Sequence, residues 1–335
     1  MSQIGTQSIQ FDEAPYILSS ASIVGKKEGE GPLGDLFDVV GGDDLFGADN
    51  WEAAESTLQK EAAVLALGKA KVTKEQVRYI FAGDLLGQSI ASTFGLMDLS
   101  IPLFGLYGAC STAGESLSLA AMAVAAGYGD PVLAVTSSHF ASAEKQFRFP
   151  LEYANQRPLS ATWTVTGGGA FLLGRKPGSV KITGITTGKV VDYGIKDSMN
   201  MGAAMAPAAC DTIYRNLVDF KRKPEDYDQI ITGDLGYVGQ SILFDLLKEK
   251  GFDITRQHRD CGIEIYDGKT QDTHSGGSGC GCSAVTLSAC FLPQMERGSL
   301  RRILFVPTGA LLSTVSFHEG MTIPGIAHAV VIERA

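Results

Sequence analysis

Between Phe104 and Ala126 (FGLYGACSTAGESLSLAAMAVAA) a single charged side chain, Glu115, interrupts an otherwise uncharged stretch. The pattern predicts the end of a buried strand, a tight turn carrying Cys110, and a long helix. Gly105, Gly108, Ala109, Ser111, Thr112, Ala113 and Gly114 crowd the turn, so its backbone can run close to another element or to a ligand. From Leu117 onward, Leu119, Ala120, Ala121, Ala123, Val124 and Ala125 make the helix apolar nearly all round, the mark of a helix buried within a protein.

Helical and strand periods alternate on either side. Trp51 to Lys69 reads as a helix that Asn50 can cap. A short apolar strand, Tyr79 to Ala82, ends at Gly83-Asp84-Leu85, and another, Pro131 to Val135, leads to Ser137-Ser138-His139. A polar loop follows, then Gly167-Gly168-Gly169 opens a strand from Ala170 to Leu173. The first fifty residues read as irregular, with one early strand at Tyr16 to Leu18.

From about residue 180 the pattern repeats. Ala208 to Phe220 is a helix, Tyr227 to Thr232 is a strand ending in Gly233-Asp234-Leu235, and Gly281-Cys282-Ser283-Ala284 opens a second apolar helix. Arg302 to Val306 and Ala327 to Ile332 are strands. The segments IFAGDLLGQSI (Ile80 to Ile90) and IITGDLGYVGQSI (Ile230 to Ile242) are close copies, and the other matches fall in the same order. That order implies an internal duplication into two α/β halves, 1–178 and 179–335, packed by pseudo-twofold symmetry. Both apolar helices would then lie between the sheets.

With 335 residues, 44% hydrophobic and 19% charged, the chain can bury one large core or two fused ones. A formal charge of −9 without a basic run argues against nucleic acid as a partner. The six cysteines lack zinc-finger spacing and read as reduced thiols. The opening MSQIGTQSIQF has no signal-peptide pattern, and no apolar run reaches the ~20 residues of a bilayer span. The expectation is a soluble chain that reaches a membrane only through a partner. Cys110, at or just before a helix start, sits where the helix dipole favours a thiolate or another anion; the competing reading is a small buried cysteine filling a turn.

Eight stretches carry a resemblance: GPLGDLFD at Gly31, AGDLLGQ at Ala82, FGLYGACST at Phe104, SSHFASAEKQFRFPLEY at Ser137, MGAAMAPAACDTI at Met201, TGDLGYVG at Thr232, SGGSGCGCSA at Ser275 and PTGALLS at Pro307. Spread over nearly the whole chain, they resemble the SpoVAD family of sporulation proteins, within the thiolase-like superfamily. The resemblance implies a duplicated five-layer αβαβα fold with a reactive cysteine, here Cys110, before the buried helix of the first half. It implies binding of dipicolinic acid (pyridine-2,6-dicarboxylate), with or without calcium, for uptake into the developing spore. The other SpoVA proteins would be partners, at the cytoplasmic face of the spore inner membrane. It calls for no cofactor and no metal site in the protein, and fold analogy adds a homodimer paired through a sheet edge.

The alternative is a thiolase or ketoacyl synthase-type acyltransferase with Cys110 as nucleophile. Against it, Gly233-Asp234-Leu235-Gly236 stands where ketoacyl synthases carry His-x-Ala-Asn, and a carboxylate there would repel a thiolate. His274 resembles the histidine of the thiolase H-P-x-G-x-S-G loop and is the second catalytic candidate; equally, it reads as a surface-loop residue. A planar dianion needs cations or N–H donors beside a flat slot. The candidates are Cys110, Ser111 and Thr112 at the helix start, Gly277, Cys280 and Cys282 in the second glycine-rich loop, His139 and Arg148. Lys145 reads as a solvated loop residue and His139 has a rival reading as a satisfied core histidine. Asp84 and Asp234 hold equivalent places in the two halves, which suggests turn-capping.

Overall fold

One strand order, used twice, builds the centre of the computed structural model, which describes residues 2–147 and 156–335. In the first half, β1 (Tyr16–Val24), β2 (Ile80–Gly83), β3 (Leu103–Gly105), β4 (Val132–Ser138) and β5 (Gly167–Gly174) lie side by side as β1-β5-β4-β2-β3. In the second, β6 (Val180–Thr186), β7 (Gln229–Thr232), β8 (His258–Asp260), β9 (Arg302–Val306) and β10 (Ala329–Arg334) repeat it as β6-β10-β9-β7-β8. In each half the last strand is antiparallel to both neighbours and the other pairs are parallel. The two sheets meet edge to edge where Tyr16 pairs with Lys181.

The helices follow the same duplication. α1 (Trp51–Ala70) and α2 (Ile90–Leu96) cover the outer face of the first sheet, with Leu58, Ala62 and Leu96 packed on Ile80, Leu133 and Leu172. α3 (Thr112–Ala125) lies on the inner face, and α4 (Phe140–Phe147) follows β4 directly. α5 (Met201–Asp219) and α6 (Gly236–Glu249) cover the outer face of the second sheet through Met205, Ile213 and Leu243 against Leu304 and Val331. α7 (Cys280–Thr286), prolonged by a π-helical turn at Leu287–Phe291 and by Leu292–Glu296, joins α3 in the middle. There Leu117, Val124, Val285 and Leu287 share one core with Phe171 and Leu173 of the first sheet and Phe305 and Ile332 of the second. The layers are therefore α–β–α–β–α, the five-layer arrangement that the family resemblance implies.

Sequence explains why α3 tolerates this position. Its buried serines return their hydroxyls to the helix, Ser116 Oγ to the Ala113 carbonyl at 3.1 Å and Ser118 Oγ to that of Gly114 at 2.7 Å, so neither asks for water. Close layers also need small residues: a Cβ on Gly169 of β5 would lie 2.6 Å from that of Ala284 on α7. At the molecule's surface, Asn50 caps α1 by accepting from Ala53 N at 3.0 Å. Asn50→Ala should cost about 1 kcal/mol in urea unfolding, the usual worth of a side-chain cap, with the slope of the transition unchanged.

Several elements differ from the sequence expectation. The early strand runs from Tyr16 to Val24, well beyond Leu18. Its serines look like loop residues in sequence, but Ser19 donates to the Ala66 carbonyl and Ser22 bonds Asp38, so hydroxyls inside the layer are satisfied. β6 is a strand beyond those the sequence pattern predicts, and the helix expected from Ala208 begins at Met201 and continues through Pro207. The polar loop after His139 opens with α4.

Candidate functional site

The turn before α3 is closed by its own hydroxyls. Ser111 Oγ donates to the Gly108 carbonyl (2.6 Å), Thr112 Oγ1 donates to the Ala109 carbonyl (2.6 Å), and Gly108 N donates to Thr112 Oγ1 (3.0 Å). Ala109, at φ 49°, takes the left-handed conformation that turns the chain into the helix. Cys110 sits immediately before the N-cap Ser111, buried, on the wall of a narrow cavity of about 20 Å³ with Leu85, Met201, Ser278 and Leu312. That space is on the scale of one water molecule.

Two residues from the second half meet the thiol. Ser278 Oγ lies 3.8 Å from Cys110 Sγ and donates to Asp234 Oδ2 at 2.8 Å. With the serine proton committed to the carboxylate, the thiol is the donor toward Ser278 Oγ. Asp234 also accepts from Gly279 N (3.0 Å) and Thr308 Oγ1 (2.8 Å), donors that favour its charged form against the burial that raises its pKa. Burial first, and the Asp234 charge next, push the Cys110 thiol well above its ordinary value. Among the described residues lining the cavity there is no histidine. Both effects favour the neutral thiol, the less nucleophilic form.

The aspartates divide the work unevenly. Asp84 caps its own turn through Leu86 N, Ser92 N and Ser92 Oγ. Its counterpart Asp234 reaches across to the glycine-rich loop instead, and the turn after β7 is capped by Asp260 through Leu235 N and Gly236 N.

The other candidates are dispersed. Ser111 and Thr112 spend their hydroxyls inside the turn, as above. Gly277 is paired beside Trp163 in a two-residue parallel ladder. Cys280 Sγ points to the Ser137 carbonyl at 2.9 Å and Cys282 Sγ to that of Gly233 at 3.7 Å, both fully buried. His274 is held between the Pro158 carbonyl (2.9 Å) and Asp272 Oδ1 (3.1 Å), away from the residues that line the Cys110 cavity. Lys145 is exposed on α4, 4.6 Å over the ring of Trp51. Arg148 lies outside the described residues. Sequence reasoning missed Ser278, which nothing but its place inside SGGSGCG marks out.

His139 belongs to a second, larger space. A pocket of about 370 Å³ opens at the junction of α1, α4 and the loop after β1. His139 is buried in its wall, with Nε2 2.7 Å from the Asp44 carbonyl and Nδ1 accepting from Ala141 N at 3.2 Å. That pairing fixes the neutral ring with its proton on Nε2, and burial lowers its pKa. Glu144, which accepts from Thr164 Oγ1 at 3.4 Å, lines both this pocket and the Cys110 cavity. Among the described residues no group of three or more His, Cys, Asp or Glu side chains could hold a metal ion.

Comparison with known proteins places this architecture. The family model described as Stage V sporulation protein AD (SpoVAD) matches residues 5–333. Stage V sporulation protein AD of Bacillus subtilis (strain 168) is 44% identical over 335 residues, covering 100% of this chain and 99% of the relative. Among solved structures, an OleA variant from Xanthomonas campestris is 16% identical over 97% of this chain and 100% of its own, with a TM-score of 0.62. The 3-oxoacyl-[acyl-carrier-protein] synthase III from Aquifex aeolicus VF5 is 14% identical over 95% and 99%, with a TM-score of 0.57. At those identities the two structures share the fold and nothing finer.

Proposed function

Because this chain belongs to the SpoVAD family of sporulation proteins, we propose that it is a non-enzymatic receptor for dipicolinic acid on the thiolase-like fold, serving uptake of that acid into the developing spore. The observation that carries the non-enzymatic part is the Cys110–Ser278–Asp234 chain. It keeps a cysteine where a condensing enzyme would have its nucleophile, yet buries it beside a carboxylate, two effects that favour the protonated thiol. Dipicolinic acid enters through the family resemblance. The other SpoVA proteins are its partners in this reading, at the cytoplasmic face of the spore inner membrane. Peripheral attachment is compatible with the described residues, where no helix is long and apolar enough to cross a membrane. A second copy would pair at β3, the edge of the first sheet, whose three residues are all exposed and whose Phe104 stacks on Phe81 at 5.1 Å.

Calorimetry of the purified chain with dipicolinate should give saturable binding; its absence, with or without calcium, discards the receptor. Incubation with acyl-CoA should leave Cys110 unmodified in the intact-mass and peptide spectra. A thioester on Cys110 would instead establish the acyltransferase alternative.

A further inference from the structure

Residues 28–59 contain nine aspartates and glutamates and no lysine or arginine, an excess equal to the formal charge of the whole chain. The same stretch exposes large apolar side chains: Leu36 is 51% exposed, Val39 and Val40 each 43%, Leu45 38% and Trp51 40%. Exposed apolar surface rimmed by polar groups marks a place of interaction. The fold holds this stretch against the body of the protein. Val39 and Val40 pair in parallel with Ile23 and Val24 at the end of β1. Asp43 Oδ1 accepts from Leu45 N and Phe46 N, each at 2.8 Å, and fixes the turn ahead of α1.

Trp51 stands between two hollows and lines both. The 370 Å³ pocket has Asp44, Phe140 and Ala141 in its wall, and a neighbouring one of about 500 Å³ has Leu45, Asp49 and Glu52. Asp44, Asp49 and Glu52 are exposed, and their carboxylates take part in no hydrogen bond or ion pair among the described residues. Two cations reach this groove. Lys27 is bonded to the Gln271 carbonyl at 2.6 Å, and Lys145, exposed on α4, holds its Nζ 4.6 Å over the Trp51 ring. We infer that the groove is the docking site for a basic segment of another protein. A lysine or arginine of that segment meets Asp44, Asp49 and Glu52, and an apolar side chain packs beside Trp51. Charge selects this occupant. An anionic lipid surface is repelled by the same carboxylates, and a second copy of the chain brings a further −9. The partner's cation can take the place of Lys145 on the Trp51 ring, which already accepts an ammonium there. Neither Cys110 nor Ser278 lines the groove, so the inference goes beyond the receptor reading and does not depend on it.

The probe is a fluorescein-labelled amphipathic peptide of leucine and lysine, with leucine–glutamate and serine–lysine peptides as counterparts. Each is titrated with the full chain and followed by anisotropy. The expected result is binding of the leucine–lysine peptide alone, weakened by salt. Trp51→Ala and the triple variant Asp44→Asn, Asp49→Asn, Glu52→Gln should each raise its Kd about tenfold or more. A control triple, Glu225→Gln, Asp245→Asn, Glu249→Gln, removes the same charge from exposed positions of the second half and should stay within about twofold of wild type. Thermal melting checks each variant, and the first triple, confined to exposed positions, decides the matter should Trp51→Ala melt early. No binding by the wild type, equal loss in both triples, or equally tight binding of the serine–lysine peptide overturns the inference. So does a wild-type dimer in sedimentation equilibrium that Trp51→Ala splits, since the occupant would then be a second copy.

Discussion

Replacing Asp234 with asparagine should make Cys110 titrate at a lower pH. The thiol donates through Ser278 Oγ toward a carboxylate that accepts from Ser278, Gly279 and Thr308. Removing that negative charge removes the second-largest cause of the raised thiol pKa and leaves burial, the largest. An asparagine can keep the local bonds: its carbonyl faces Ser278 and Gly279, and its amide donates to Thr308 Oγ1, which as a hydroxyl can accept. A fall of one pKa unit gives about tenfold more thiolate at any pH below both values. Peptide-level mass spectrometry after timed iodoacetamide labelling, run as a pH series on both proteins, reads the difference between them, since access to the buried thiol is common to both. Asp84→Asn is the control, since Asp84 caps its own turn and is not among the groups that shift Cys110. Equal pH profiles for wild type and Asp234→Asn would show that burial alone holds the thiol.

The second large effect concerns stability. Glu55 of α1 is fully buried, with Oε1 accepting from Ser137 Oγ at 3.0 Å and Oε2 from Ser142 Oγ at 2.7 Å. Burial, then the neighbouring Asp84 charge, raises its pKa well above the ordinary 4.5. A carboxyl whose pKa is higher folded than unfolded holds more protons in the native state. Its contribution is complete below the unfolded value and is lost as pH rises through the folded one. Wild-type stability should therefore fall from mildly acidic to alkaline pH, by on the order of 1.4 kcal/mol per pH unit for this one proton while it remains bound. Glu28, raised to about 7 by burial, adds to the same trend. Glu55→Gln mimics the protonated acid: its amide can donate to one serine hydroxyl while its carbonyl accepts from the other. Urea unfolding between pH 6 and 9 should give the variant a visibly shallower decline and, at pH 9, an advantage on the order of 2 kcal/mol. Parallel declines for the two proteins would mean that Glu55 is ionised in the native state.

The duplication was legible because it is written in local signals. GDL turns end β2 and β7, small residues precede both central helices, and neither helix has a polar face. A helix without a polar face needs apolar neighbours on every side, and two sheets provide them. Elements whose polar side chains find partners inside the fold were not legible. The serines of β1 look solvated until Ala66 and Asp38 stand opposite them, and α4 looks like loop because its surroundings come from α1 and from Trp163.

The site follows the same division. Sequence by itself determined that a cysteine stands before an apolar, buried helix and that the α/β pattern repeats in two halves; the five layers entered with the family resemblance. Only the tertiary structure shows what surrounds that cysteine and where the larger pocket opens. Ser278, 168 residues from Cys110, intervenes between thiol and carboxylate, and Lys27, Trp51, His139 and Trp163 converge on one pocket from separate segments. Protonation depends on burial and on charges a few ångströms away in space, and pocket volume depends on how whole layers meet. Neither has a period or a spacing along the chain from which it can be read.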